Sequence, residues 1–116
     1  MNNYKSGHWA ELIALNYLRC CGYSLVCRNY QALRGTMAGE IDLIMRKGRT
    51  IVFVEVKKRS TLDNAAYAIQ PRQQERIRYA AEAFLASHPQ FAEFDIRFDA
   101  VLIAFPFKLK HLPDAF

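Results

Sequence analysis

This sequence predicts an α/β fold with the element order α-β-β-β-α-β, and three observations predict it. An apolar stripe at helical spacing lies near the start of the chain. Two apolar strands joined by a short basic connection, RKGRT, follow it. A second helical stripe then leads into one more strand that is almost wholly apolar. A three-stranded meander followed by a helical crossover gives a mixed four-stranded sheet flanked by helices. A right-handed crossover lays the fourth strand parallel to a strand of the meander. At 116 residues the chain has the length of a single domain, 1–116, and enough residues to bury a core.

The first helix is read from WAELIALNYLRCCG. Ala10, Ile13, Ala14, Tyr17, Leu18 and Cys21 share one helical face, and Gly22 supplies the stop. YSLVCRNY, residues 23–30, is rich in strand formers. QALRGTMAG, 31–39, reads as a loop with backbone freedom at Gly35 and Gly39, and it is the segment expected to move when substrate binds. EIDLIM (40–45) and IVFVEVK (51–57) form a hairpin. After a polar stretch, Pro71 marks a helix start, and Ile77, Ala80, Ala81, Phe84 and Leu85 give its apolar stripe as far as Pro89. RFDAVLIAF (97–105) is the last strand, apolar enough for burial on both faces, and the tail from residue 106 has no assignment.

The composition, 52% hydrophobic and 23% charged, is that of a soluble globular protein. No apolar run approaches the roughly 20 residues that cross a bilayer. The N-terminus lacks the pattern of a signal peptide, so no membrane partner and a cytoplasmic location are expected. Cys20, Cys21 and Cys27 form no CxxC pair and read as reduced thiols that fill small apolar spaces. A net charge of +5 suits a polyanionic partner such as nucleic acid.

The chemistry is concentrated in the hairpin. Alternation along a strand places Glu55 and Lys57 on one face with Ile51 and Phe53, about 7 Å apart. Glu40, Asp42 and Ile44 share a face of the partner strand. With Lys47-Gly48 as the turn, residues summing to 95 pair, which sets Glu40 opposite Glu55 and Asp42 one diagonal away. Carboxylates that close raise one another's pKa unless a cation separates them, and Lys57 neutralises only one. Two readings stand: a divalent metal held by carboxylate oxygens, for which magnesium is suited, or a Glu55–Lys57 ion pair on an exposed sheet face.

Glu11, on the flank of the first helix, either reaches this patch or complements the helix dipole. Gln73, in the first turn of the second helix, either supports the patch and a water or is a hydrogen bonder at the helix end. Asp99 reads as a structural strand acid that caps a loop, and the three histidines have no ligand spacing. Arg34, Arg46, Lys47, Arg49, Lys58, Arg59 and Arg72 lie near the patch in sequence, as phosphate contacts or as a solvated rim.

GEIDLI (39–44) followed by FVEVKKR (53–59), with AELIALNYL before and RFD (97–99) after, resembles the YraN family of small, uncharacterised bacterial proteins. That family is grouped with the PD-(D/E)xK, restriction-endonuclease-like nucleases and is similar to archaeal Holliday-junction resolvases. The likeness runs from about Gly7 to Ile103. It implies a restriction-endonuclease-like αβββαβ core and a metal-dependent endonuclease hydrolysing phosphodiester bonds of DNA, branched or flapped, in repair or recombination. It further implies Asp42 and Glu55 as ligands of Mg2+ (or Mn2+), Glu11 as the first-helix acid, Lys57 as the catalytic lysine and Gln73 as the second-helix position. Arg34, Lys47, Lys58, Arg59 and Arg72 would meet nucleic acid, DNA before RNA.

Two departures stand out. Ile41 precedes Asp42 where the superfamily often has proline, and Gln73 stands where the family tends to have lysine. A resolvase-like protein of this size would cut two strands as a homodimer. An accessory protein that keeps the fold and binds nucleic acid with negligible activity is the alternative, and an interaction module with a fortuitous acidic patch is a third.

Overall fold

A computed structural model of the protein describes the backbone of residues 3–34, 37–59, 69–104 and 108–116, with side chains for the same residues except 3–7, 34 and 37. The elements are helix α1 (Asn3–Cys20), strands β1 (Ser24–Arg34), β2 (Met37–Lys47) and β3 (Thr50–Arg59), helix α2 (Pro71–Ala86), and strands β4 (Asp95–Ala104) and β5 (Lys108–Leu112). The sheet has the order β1-β2-β3-β4-β5. The first three strands are an antiparallel meander, β4 is parallel to β3, and β5 returns antiparallel along β4. This α/β architecture, a mixed sheet with two helices, is consistent with a restriction-endonuclease-like fold. No helix among the described residues is long and apolar enough to cross a membrane.

The expected order of elements holds, and two expectations are corrected. The sheet has five strands where four were expected, because the tail pairs Ala104↔Lys108 to Ala100↔Leu112 with β4. Alternating lysines and apolar residues in KLKHL allow this edge strand one buried and one solvated side. The supposed 31–39 loop is strand on both sides of residues 35–36: Gln31↔Glu40 through Arg34↔Met37 continue the β1–β2 ladder, and Gly35 lies outside the described residues.

Each helix covers one face. Ala10, Ala14, Leu15 and Leu18 of α1 pack on Leu43, Met45, Val52, Val54, Val101 and Ile103. Leu15 belongs to this face, whereas Tyr17 and Cys21, assigned to it from spacing, are exposed. Cys20 is exposed as well and Cys27 half-buried, so the vicinal pair fills no apolar space. Gly22, at φ +94°, turns the chain out of α1, with Tyr23 N–H donating to Leu18 O at 3.0 Å.

On the opposite face Ile77, Ala80, Ala81 and Phe84 of α2 cover Ile41, Ile44, Ile51 and Phe53. Register places Phe53 beside Phe98, and their rings stack at 5.4 Å. Gly39 lets β2 approach α2 closely. A Cβ there would overlap the Arg76 carbonyl oxygen and sit 3.0 Å from the Ala80 Cβ.

Candidate active site

The site arises where the sheet opens. The β2–β3 ladder runs from Lys47↔Thr50 to Leu43↔Val54. The turn is therefore Gly48-Arg49, and pairs sum to 97 where 95 was expected. Glu40 lies opposite Gln31 of β1 and does not face Glu55. Alternation also breaks here. Ile41 and Ile44, three residues apart, both join the α2-side core, while Leu43 joins the α1 side, so Glu40, Asp42 and Ile44 do not share one face as expected. At this break Asp42 Oδ2 accepts the Val56 backbone N–H at 2.8 Å, so a side chain satisfies an amide beyond the last described pair of the ladder.

Glu55 enters the gap from the α2 side. It is 6% exposed, and its Oε2 accepts the Gln73 side-chain amide at 3.0 Å. Lys57 Nζ stands 4.0 Å from Oε1, too long for a hydrogen bond, so the ion pair is loose and the ammonium keeps donors free for another anion. Burial raises the Glu55 pKa well above the usual carboxylate range, the adjoining Asp42 carboxyl raises it further, and Lys57 opposes them only in part. Two carboxyls in contact need a shared proton or a cation.

Glu11 approaches from α1. Its Oε1 is buried and has no hydrogen-bond partner among the described residues. Burial, then Asp42 and Glu40, raise its pKa to about 7, against a hydrogen bond from Asn29 and the charge of Arg28. Asn29 reaches it from a left-handed backbone conformation, φ +52°, within β1. Sequence reasoning missed Asn29 and Arg28. Asparagine is among the few residues that tolerate such a φ, yet one Asn in a strand-forming run carries no signal of the bend.

The structure thus brings Glu11, Asp42, Glu55, Lys57 and Gln73 to one gap, Glu11 from one layer and Gln73 from the other. Among the described residues no three His, Cys, Asp or Glu side chains form a ready-made metal cage. The donor set nevertheless fits a hard cation: oxygen ligands, one of them an orphaned buried atom, crowded beyond what the local cations neutralise.

Among the basic residues, Lys58 and Arg59 lie at the Glu55 end of β3, and Arg72 is exposed in the first turn of α2 beside Gln73. Lys47 does not join them. It is five residues from Asp42, about 16 Å along β2, and its Nζ donates to Cys21 O at 3.0 Å while lying over the Tyr23 ring. Arg46 and Arg49, on the same remote turn, stack on Phe94. The Arg34 side chain lies outside the described residues.

Asp99 belongs to a separate cluster. Fully buried, it accepts Arg97 Nε at 2.8 Å and Nη2 at 2.7 Å, His111 Nε2 at 2.7 Å, and the Asp114 backbone N–H at 3.0 Å. Burial alone would raise its pKa, but these donors outweigh burial and hold it at about 2. This is the structural, loop-capping role expected of Asp99, with His111 an unforeseen partner.

Comparison with known proteins gives concordant matches. The family model described as "Uncharacterised protein family UPF0102" matches residues 10–103. A UPF0102 protein of Rhodopseudomonas palustris (strain BisB18) is 50% identical over 113 residues, covering 97% of this chain and 81% of that protein. One of Bradyrhizobium diazoefficiens is 50% identical over 101 residues, 87% of this chain and 73% of the other. One of Paramagnetospirillum magneticum is 46% identical over 112 residues, 96% and 86%.

Proposed function

We propose that this chain, which belongs to the UPF0102 family, the YraN family its motifs resemble, is a metal-dependent nuclease hydrolysing phosphodiester bonds of DNA. One observation carries the reading: Glu11, Asp42 and Glu55 crowd around a single opening in the sheet, with Glu11 Oε1 buried and unpartnered among the described residues and Lys57 poised beside them. A chain that needed only a stable core would fill this gap with apolar residues, since burying unpaired carboxyls is costly.

Asp42 and Glu55, completed by Glu11 from α1, would hold Mg2+ or Mn2+. When bound, the metal supplies Lewis-acid polarisation of the phosphate and a water of lowered pKa. Gln73 fixes the Glu55 carboxylate by donating its side-chain amide to it as a neutral partner. The Val56 amide fixes Asp42 in the same way. Lys57 directs its free ammonium donors at a phosphate oxygen or the attacking water and offsets the charge that develops there. Lys58 and Arg59 at the Glu55 end of β3, with Arg72 beside Gln73 on α2, would hold flanking phosphates without reading sequence. Cutting both strands of a branch needs two copies of the site, so a homodimer is the proposed assembly.

The second reading, a binding protein without turnover, is favoured by the lack of a ready-made three-ligand cage among the described residues. Magnesium titration with Lys57→Ala as the comparison decides between them. Metal binding by both proteins, with cleavage by the wild type alone, supports the nuclease. DNA binding without metal binding or cleavage supports the accessory role.

A further inference from the structure

We propose that the cleft between the β1–β2 hairpin and the first turns of α2 seats an unpaired nucleotide, so that the protein selects nucleic acid carrying a single-stranded segment. This rests on the phosphodiesterase reading and names the substrate form that the same site takes.

The cleft has a volume of about 550 Å³ and adjoins the carboxylate gap, because Gln73 and Glu40 are among the residues that line it. Gln73 there also donates to Glu55. A volume in the range of small-ligand sites, roughly 300–1,000 Å³, admits a single nucleotide.

Its lining has three parts that match a nucleotide. Arg72 and Arg76 stand one turn apart on the same side of α2, both exposed, and neither guanidinium is held in an ion pair among the described residues. They form a paired anchor for consecutive phosphates. Ala32, Gly39 and Ile77 make part of the lining apolar. At the rim Leu33 is 77% exposed, a large apolar side chain held in solvent where a base face would cover it. Gln31, Gln70 and Gln73 supply primary amides that donate and accept, as base edges require. An acidic peptide would use the arginines and leave the amides and the apolar part of the lining without partners.

The test is fluorescence anisotropy in EDTA with a labelled 12-nucleotide oligothymidylate and a 12-base-pair duplex, alongside cleavage of flapped and plain duplex DNA with Mg2+. Two variants are compared with wild type. Arg76→Glu reverses one anchor, and Ala38→Trp fills the cleft without a change of charge. The single strand is expected to bind at least about tenfold more tightly than the duplex, an advantage that both variants abolish, while duplex affinity shifts less than about twofold in Ala38→Trp, which leaves the charge unchanged. Equal affinity of the wild type for the two forms, or an advantage that survives Ala38→Trp, overturns the inference. Single-strand selectivity without any metal-dependent cleavage supports the cleft and removes the nuclease reading alone. Cleavage with no preference for the flap retains the nuclease and removes the cleft.

Discussion

Asp42 Oδ2 accepts the Val56 backbone amide at 2.8 Å, and this bond ties the opened end of the β2–β3 ladder to the carboxylate cluster. Fold and chemistry therefore meet in one side chain. Asp42→Asn keeps an acceptor for Val56 but loses the charge. It is expected to fold with near-wild-type thermal stability and to lose at least about 100-fold in cleavage rate. Asp42→Ala also strands the amide and is expected to lose a further 1–2 kcal/mol or so of stability. Urea denaturation of both variants checks the difference.

The acids of the gap give the metal-free protein a signed pH response. A carboxyl whose pKa is raised by folding stays protonated in the native state where the unfolded chain has already ionised. Stability is then lost as pH rises, for Glu11 between about 4.5 and about 7. The metal-free protein should therefore melt at lower temperature at pH 8 than at pH 5.5. Magnesium should raise the melting temperature more at pH 8, where fewer protons compete. Differential scanning fluorimetry at the two pH values, with and without metal, reads this directly.

Glu55→Gln separates stability from function. It removes the buried acid and retains a partner for Gln73, so the metal-free variant at pH 8 is expected to be more stable, on the order of 2 kcal/mol, while metal binding is lost. Calorimetric titration with Mg2+ and denaturant unfolding of the same sample check both halves. Lower stability at pH 8 would mean that Glu55 is no burden to the fold.

Asp99 behaves in the opposite sense. Its pKa is held at about 2, below the usual 3.8, so the stabilisation is present above pH 3.8 and lost as pH falls toward 2. The shift corresponds to about 2 kcal/mol for this fully buried group. Asp99→Asn should flatten the acid limb of the stability curve. It is also expected to cost roughly 3 kcal/mol near neutral pH, because Arg97 loses its buried counter-charge and one of the two acceptor oxygens becomes an NH2 donor facing other donors.

Much of this was legible before the structure, for identifiable reasons. Pro71 and the Ile77–Leu85 stripe marked α2, the apolar run at 51–54 marked a central strand, and the pairing of GEIDLI with FVEVKKR placed Asp42, Glu55 and Lys57 together. What failed was register. A shift from the Lys47-Gly48 turn to Gly48-Arg49 moved Glu40 away from Glu55, and no pattern rule reveals that alternation breaks at Asp42. The edge strand β5 was missed because five residues with two lysines and a histidine gain their structure from β4, not from their own propensity. Lys47 was misplaced because nearness in sequence along an extended strand becomes distance in space.

The central claim is that the gap holding Asp42, Glu55 and Lys57 cleaves phosphodiester bonds. End-labelled flapped and four-way branched DNA incubated with Mg2+, with EDTA, and with Asp42→Asn in place of the wild type tests it most directly. The account predicts labelled fragments from the wild type with metal and intact strands in the other two reactions. Equal cleavage by wild type and Asp42→Asn, or none by the wild type on any branched substrate with Mg2+ or Mn2+, would contradict it.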